Sequence, residues 1–147
     1  MAETLGMLCD KLTIVKLKQY HTEDTVRLDS LSKQQAMLQT EIDEYVSNAI
    51  GGIIPVDKLS FAANKVFKQE GNNIREIAGT IGVVFSELAD VNCKLWHEQE
   101  KVYDFENVPE DQKNIVVKKL ALLNLERNKC IDEIDRQFTI NIKQTRK

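Results

Sequence analysis

Residues 116–138 read VVKKLALLNLERNKCIDEIDRQF. Val116, Leu120, Leu123, Ile131, Ile134 and Phe138 recur there at steps built from threes and fours, which gathers them on one stripe of an α-helix. A strand would need strict alternation instead. One position on the stripe is charged: Arg127 falls between Leu123 and Ile131. A charge on a line meant for the core is costly unless it is paired or bound to something.

Outward from this stretch the chain divides at a few clear breaks. Asn107-Val108-Pro109-Glu110-Asp111 opens the last segment, about 109–144, with proline and acids where a helix N-terminus favours them. Gly51-Gly52-Ile53-Ile54-Pro55 closes the first segment, about 4–50. Gly71-Asn72-Asn73 is a third break, where Asn72 or Asn73 would cap a helix over about 73–105. That third segment is apolar nearly all round, with Ile77, Ile81, Val84, Phe85, Leu88, Val91 and Leu95, so a central position is expected for it. Gly79 and Gly82 weaken it as a helix but permit close approach of a neighbour. A short second segment, about 57–70, carries Leu59, Phe61, Ala62, Val66 and Phe67 and would pack across one end.

The first segment repeats the threes and fours at Ile14, Leu17, Leu28, Leu31, Leu38, Ile42, Tyr45 and Ala49. An unbroken helix of about 45 residues would be about 68 Å long by its rise. It therefore breaks near Ser30–Ser32, or it packs its exposed half on a second copy, and a homodimer is expected. The fold class is all-α: one domain over 1–147, a bundle of three long helices plus one short helix.

Composition bounds the function. The 42% hydrophobic and 29% charged content over 147 residues is that of a globular chain able to bury a core. No run of about 18 apolar residues is present, so no membrane span is expected. Met1-Ala2-Glu3-Thr4 lacks the basic start of a secretory signal. The net charge of −3 argues against a nucleic-acid partner, and the basic stretch Lys143 to Lys147 reads as a solvated helix end. Cys9, Cys93 and Cys130 are far apart with no C-x-x-C pair, which suits a reducing cytoplasm and apolar packing. A zinc cluster would need a fold that converges all three.

Following the first stripe gives Asp10, Ile14, Leu17, His21, Asp24, Leu28, Leu31, Gln35, Leu38. Asp10, His21 and Asp24 then face the same way as the core leucines. They form an internal ion-pair network, for instance Arg127 with Asp24 or Asp10, or they line a ligand or metal site, or the register shifts and exposes them.

An internal echo sharpens the choice. Leu12-x-x-Val15-x-x-Lys18-x-Tyr20-His21-x-x-Asp24 matches Leu88-x-x-Val91-x-x-Lys94-x-Trp96-His97-x-x-Glu100 and includes both histidines. Positions three and four apart are neighbours on a helix, so Lys, His and the acid form one patch with the aromatic at its edge. Two such patches could face each other across a pseudo-twofold. Lys18, Lys94 and Arg127 would hold an anionic group while Tyr20 or Trp96 stacks on a ring, with His21 and His97 at the polar edge. That describes a nucleotide or phosphosugar site, with Asp24, Glu100, Asn128 and Asp132 completing the expected ligand-binding set. Alternatively His21, Asp24, His97 and Glu100, with or without Asp132, would serve a metal-dependent hydrolase, although Glu-x-x-His is the usual order. A third alternative makes the aromatics core residues beside satisfied histidines, in a protein whose helix faces recruit a partner. No nucleophile–base pair, Gly-rich phosphate loop or recognised metal motif appears, so the sequence assigns no catalytic residue and names no cofactor.

Gly6-x-Leu8-x-Asp10-Lys11-Leu12-Thr13-Ile14-x-x-Leu17-Lys18-x-x-His21-x-Glu23-Asp24 resembles the opening of an uncharacterised family of small helical bacterial proteins, often encoded near genes for lipopolysaccharide or other glycan synthesis. Asn92-x-x-Leu95-Trp96-His97-x-x-Glu100 and Leu123-Asn124-x-x-Arg127-Asn128-x-x-Ile131-Asp132-x-Ile134-Asp135 are similar to its later blocks. The resemblance implies a helical fold and draws attention to Asp10, His21, Asp24, Trp96, His97, Arg127 and Asp132, without implying a reaction. Glu41-x-x-Glu44 and Glu87-x-x-Asp90 also resemble the carboxylate pairs of all-α nucleotide pyrophosphohydrolases, but they stand too far apart for that pattern.

Overall fold

The computed structural model describes residues 3–61 and 75–146. Four α-helices account for most of them: α1 (Leu5–His21), α2 (Thr25–Ile50), α3 (Ile81–Tyr103) and α4 (Glu110–Thr145). Single 3-10 turns at Val56–Lys58 and Phe105–Asn107 join them, and the described residues contain no strand. No described helix is long and apolar enough to cross a membrane.

The first segment does not run through as one helix. Asp24 adopts an extended backbone and its carboxylate accepts hydrogen bonds from the Val26 and Arg27 amides at 2.9 and 3.1 Å. It thus caps the N-terminus of α2, where a carboxylate also opposes the positive end of the helix dipole. The break lies at Thr22–Asp24 rather than at Ser30–Ser32, and the chain turns back on itself there. The premise of an exposed 45-residue helix falls away with it.

Gly51-Gly52 stops α2 as expected. Gly52 takes φ +78, the Ile53 amide returns to the Asn48 carbonyl at 2.9 Å, and the Gly52 amide reaches Ala49 at 3.3 Å. That pair of bonds is the Schellman closure of a helix. α3 starts at Ile81, well after the expected 73, because Gly79 sits at φ +138 and no helix passes through such a residue. The expected caps Asn72 and Asn73, and most of the expected helix over 57–70, lie outside the described residues. α4 begins just after Pro109 with Glu110 and Asp111 in its first turn, as the sequence indicates.

Contacts across the bundle set the directions. Gly6 of α1 meets Asp135 of α4 and Asp10 meets Arg127, so these two helices run antiparallel. Glu98 of α3 meets Lys119 of α4, deep in the antiparallel pair that α3 makes with α4. Tyr45 of α2 lies against Phe138, and Arg146 donates to the Ala49 and Ile54 carbonyls, so α2 runs with α4. The result is an up-down-up-down arrangement.

α1 and α4 hold the centre, each packing on the other three helices, so α3 is not the central element the sequence suggested. α3 buries a single stripe, Val84, Leu88 and Val91, and leaves Val83 exposed. The core combines this stripe with Leu8, Cys9 and Val15 of α1, Leu38 and Ala49 of α2, and Leu123, Cys130, Ile131, Ile134 and Phe138 of α4. At Gly6 the two central helices nearly touch: a Cβ there would stand 2.5 Å from the Ile131 carbonyl oxygen. Ile14, Leu17 and Leu28, expected on the core stripe, are only half-buried.

Candidate functional site

Polar groups gather at two levels of the bundle, and the residues singled out by sequence are divided between them.

The lower group is buried. Asp10 is 4% exposed and accepts from Arg127 Nε at 2.9 Å, from Arg127 Nη2, and from Asn92 Nδ2 at 3.0 Å. Asn92 Nδ2 also donates to Thr13 Oγ1 at 2.7 Å, and the Thr13 hydroxyl donates to the Asp10 carbonyl. Three helices therefore meet on one carboxylate. The two-pronged hydrogen bond to Asp10 raises the Arg127 pKa, against the opposing effect of burial. Of the two partners considered for Arg127, the structure selects Asp10. Asn128 and Asp132 are half-buried on α4 near this level.

A second buried carboxylate, Asp135, sits under the N-terminus of α1 and accepts from the Gly6 amide at 2.7 Å. Burial pushes its pKa up to about 6, with the Thr4 and Gly6 hydrogen bonds opposing and Asp132 adding to the rise. Burial likewise lifts the Cys9 thiol to about 12, so it is an inert packing group. Cys130 is buried as well, while Cys93 is exposed, so the three do not form a thiolate cluster. At Glu98, burial would raise the pKa, but hydrogen bonds from Lys119 and Lys101 outweigh it and hold the carboxyl below its usual range. Sequence reasoning passed over Glu98 and Asp135. The signal available for Asp135 was its own place on the α4 stripe, one residue after Ile134 and three before Phe138.

The upper group is open. The last turn of α1 presents Lys18, Tyr20 and His21, and α3 brings Trp96 and His97 against them. The His21 ring stacks on Trp96 with centroids 4.6 Å apart and 19° between planes. Tyr20 meets His21 edge-on at 5.2 Å, and His97 does so at 6.2 Å. The two halves of the internal echo are thus brought together, as the pseudo-twofold idea required. They are not equivalent, however. Asp24 caps α2, while its counterpart Glu100 lies with His97 along a separate hollow of about 390 Å³.

Beside the stack is a cleft of about 540 Å³ formed where α1 ends and α2 begins. Lys18 and Arg27 line it with cations, Thr22 and Ser30 with hydroxyls, and Val26, Leu31 and Trp96 with apolar surface. Lys18 makes no ion pair among the described residues, and Arg27 has only a 3.9 Å approach to Asp24. Lys94, by contrast, pairs with Asp90 at 3.0 Å. Of the expected cationic triad only Lys18 reaches the cleft. Arg127 is committed to Asp10, and Arg27, which the sequence reading missed, stands in its place. The signal for Arg27 was the Asp24 cap itself, since a helix starting at Thr25 puts position 27 in its first turn.

Among the described residues no group of three or more His, Cys, Asp or Glu side chains is placed to hold a metal ion, so His21, Asp24, His97, Glu100 and Asp132 form no such site. Comparison with known proteins adds no family: no family model matches the chain, nor does any curated protein or solved structure.

Proposed function

We propose that this chain is a binding protein that captures a phosphorylated small molecule, a nucleotide or a phosphosugar, in the cleft between α1, α2 and Trp96. The observation that carries the proposal is the pair of under-neutralised cations, Lys18 and Arg27, on a cleft of about 540 Å³ walled by a stacked His21 and Trp96. That volume falls in the range of about 300–1,000 Å³ usual for small-molecule sites. Lys18 and Arg27 would meet phosphate, the hydroxyls of Thr22 and Ser30 its remaining oxygens, and Trp96 or Tyr20 the ring. A reducing cytoplasmic setting suits the free thiols of Cys9, Cys93 and Cys130. A homodimer belongs to the same proposal; a monomer mass in sedimentation would remove that part.

Native mass spectrometry of the purified protein, followed by denaturing extraction, tests the function. A bound nucleotide or sugar phosphate, lost on Lys18→Ala with Arg27→Ala, is the expected result. A clean mass, together with no saturable change of Trp96 fluorescence across nucleotides and sugar phosphates, would overturn it. The second reading is then a structural or interaction protein, favoured by the full pairing of Arg127 with Asp10. A partner recovered on pull-down would support that reading.

A further inference from the structure

Resting on that proposal, we infer that the cleft selects a terminal phosphomonoester over a phosphodiester, by taking a proton from solvent onto Nε2 of His21 as the ligand binds. His21 Nδ1 lies 2.8 Å from the Leu17 carbonyl oxygen. A carbonyl can only accept, so Nδ1 carries a hydrogen and Nε2 is the nitrogen left to gain or lose one. Stacking on Trp96 at 4.6 Å fixes the ring plane.

The charge balance of the occupied cleft carries the inference. Facing it are Lys18 and Tyr20 from α1, Arg27 from α2 and His97 from α3, with Glu23 and Asp24 in the link between α1 and α2. Arg27 shares its charge with Asp24 at 3.9 Å, so Lys18 and Arg27 fall short of two unshared positive charges. A phosphodiester carries one negative charge and is matched by them. A terminal phosphomonoester carries roughly −1.5 to −2 at neutral pH, and the excess is met only when His21 becomes cationic. No bond is made or broken in the ligand.

Trp96 is the only tryptophan of the chain and lies on His21, so its fluorescence reports binding at the ring. The experiment is calorimetry at pH 7 in two buffers of different ionisation heat, with Trp96 fluorescence alongside. The probes are adenosine 5′-monophosphate, its 3′,5′-cyclic diester and inorganic phosphate. Expected are a preference of at least about tenfold for the monoester over the diester, and uptake of a proton with the monoester alone. His21→Gln should abolish both, while His97→Gln leaves the uptake in place. Equal affinity for the two esters, no uptake, or uptake that survives His21→Gln would overturn the inference while leaving a phosphate site standing. Absence of binding by all three probes would instead remove the proposed function, and this inference with it.

Discussion

The two polar levels of this bundle use the same residue types for opposite ends. Asp10 and Arg127 are closed on each other, with Asn92 donating to the same carboxylate and held in turn by Thr13. Lys18 and Arg27 lie about two turns or more further along, where α1 has nearly ended, and their charge is left largely to solvent. The difference teaches where to look for a ligand in a helical bundle. A charge on an apolar stripe marks a structural clasp when the opposing helix supplies its partner. A charge beyond the point where the opposing helix has turned away stays open to solvent, and the proposed ligand site rests on that arrangement.

Mutation can break this contrast from the buried side first. Asp10→Ala leaves Arg127 without its acceptor and Asn92 with Thr13 alone, and should cost about 3–4 kcal/mol in urea denaturation, with Asp10→Asn milder. Gly6→Ala, which drives a methyl into the Ile131 carbonyl, should cost about 2–3 kcal/mol on the same measurement.

Asp135 sharpens the comparison through pH. Its pKa in the folded chain is raised from 3.8 to about 6, so the native state holds the proton more tightly than the unfolded one. The associated stability is therefore full below about pH 4 and is lost as pH rises to about 6, a loss of about 3 kcal/mol. Asp135→Asn keeps an acceptor for the Gly6 amide and should flatten that descent when stability is measured from pH 4 to 7. An unchanged slope would show that the carboxyl is better hydrated than its burial suggests.

In the link beside the cleft, Asp24→Ala removes the α2 cap and the 3.9 Å partner of Arg27, and should cost about 1 kcal/mol. In the open cleft, Lys18→Ala with Arg27→Ala should leave the melting temperature within about 2 °C. The same pair should weaken phosphate-ester binding by at least about tenfold. If this pair instead destabilised the fold as Asp10→Ala does, the distinction between clasp and cleft would fail.

What could be read in the sequence was what local chemistry dictates. Gly51-Gly52 and Pro109 mark their boundaries because each imposes a backbone conformation by itself. The α4 stripe is legible because only a single charge, Arg127, interrupts it. The break at Thr22–Asp24 was hidden because Asp24 happens to continue the threes and fours, and a capping carboxylate is indistinguishable in spacing from a core-facing one. Gly79 reads in the sequence as a weak helix residue, since its φ is set by the turn it serves and not by its neighbours. Arg127 was recognised as needing a partner, yet the selection of Asp10 over Asp24 depends on a contact between residues 117 positions apart. The cleft escaped for a related reason: Arg27 joins Lys18 only because the chain reverses between them.

The docking of α1 on α4 also has a consequence in time. The Gly6 amide finds Asp135 across 129 residues, and Asp10 finds Arg127 across 117. At ribosomal rates of about 5–20 residues per second, the interval between making Asp10 and making Arg127 is on the order of 10 s. Throughout that interval α1 can pair with α2 through their short link, but its face towards α4 has nothing to cover it. The Asp10 carboxylate can therefore be latched by Arg127 only once the last helix has been made.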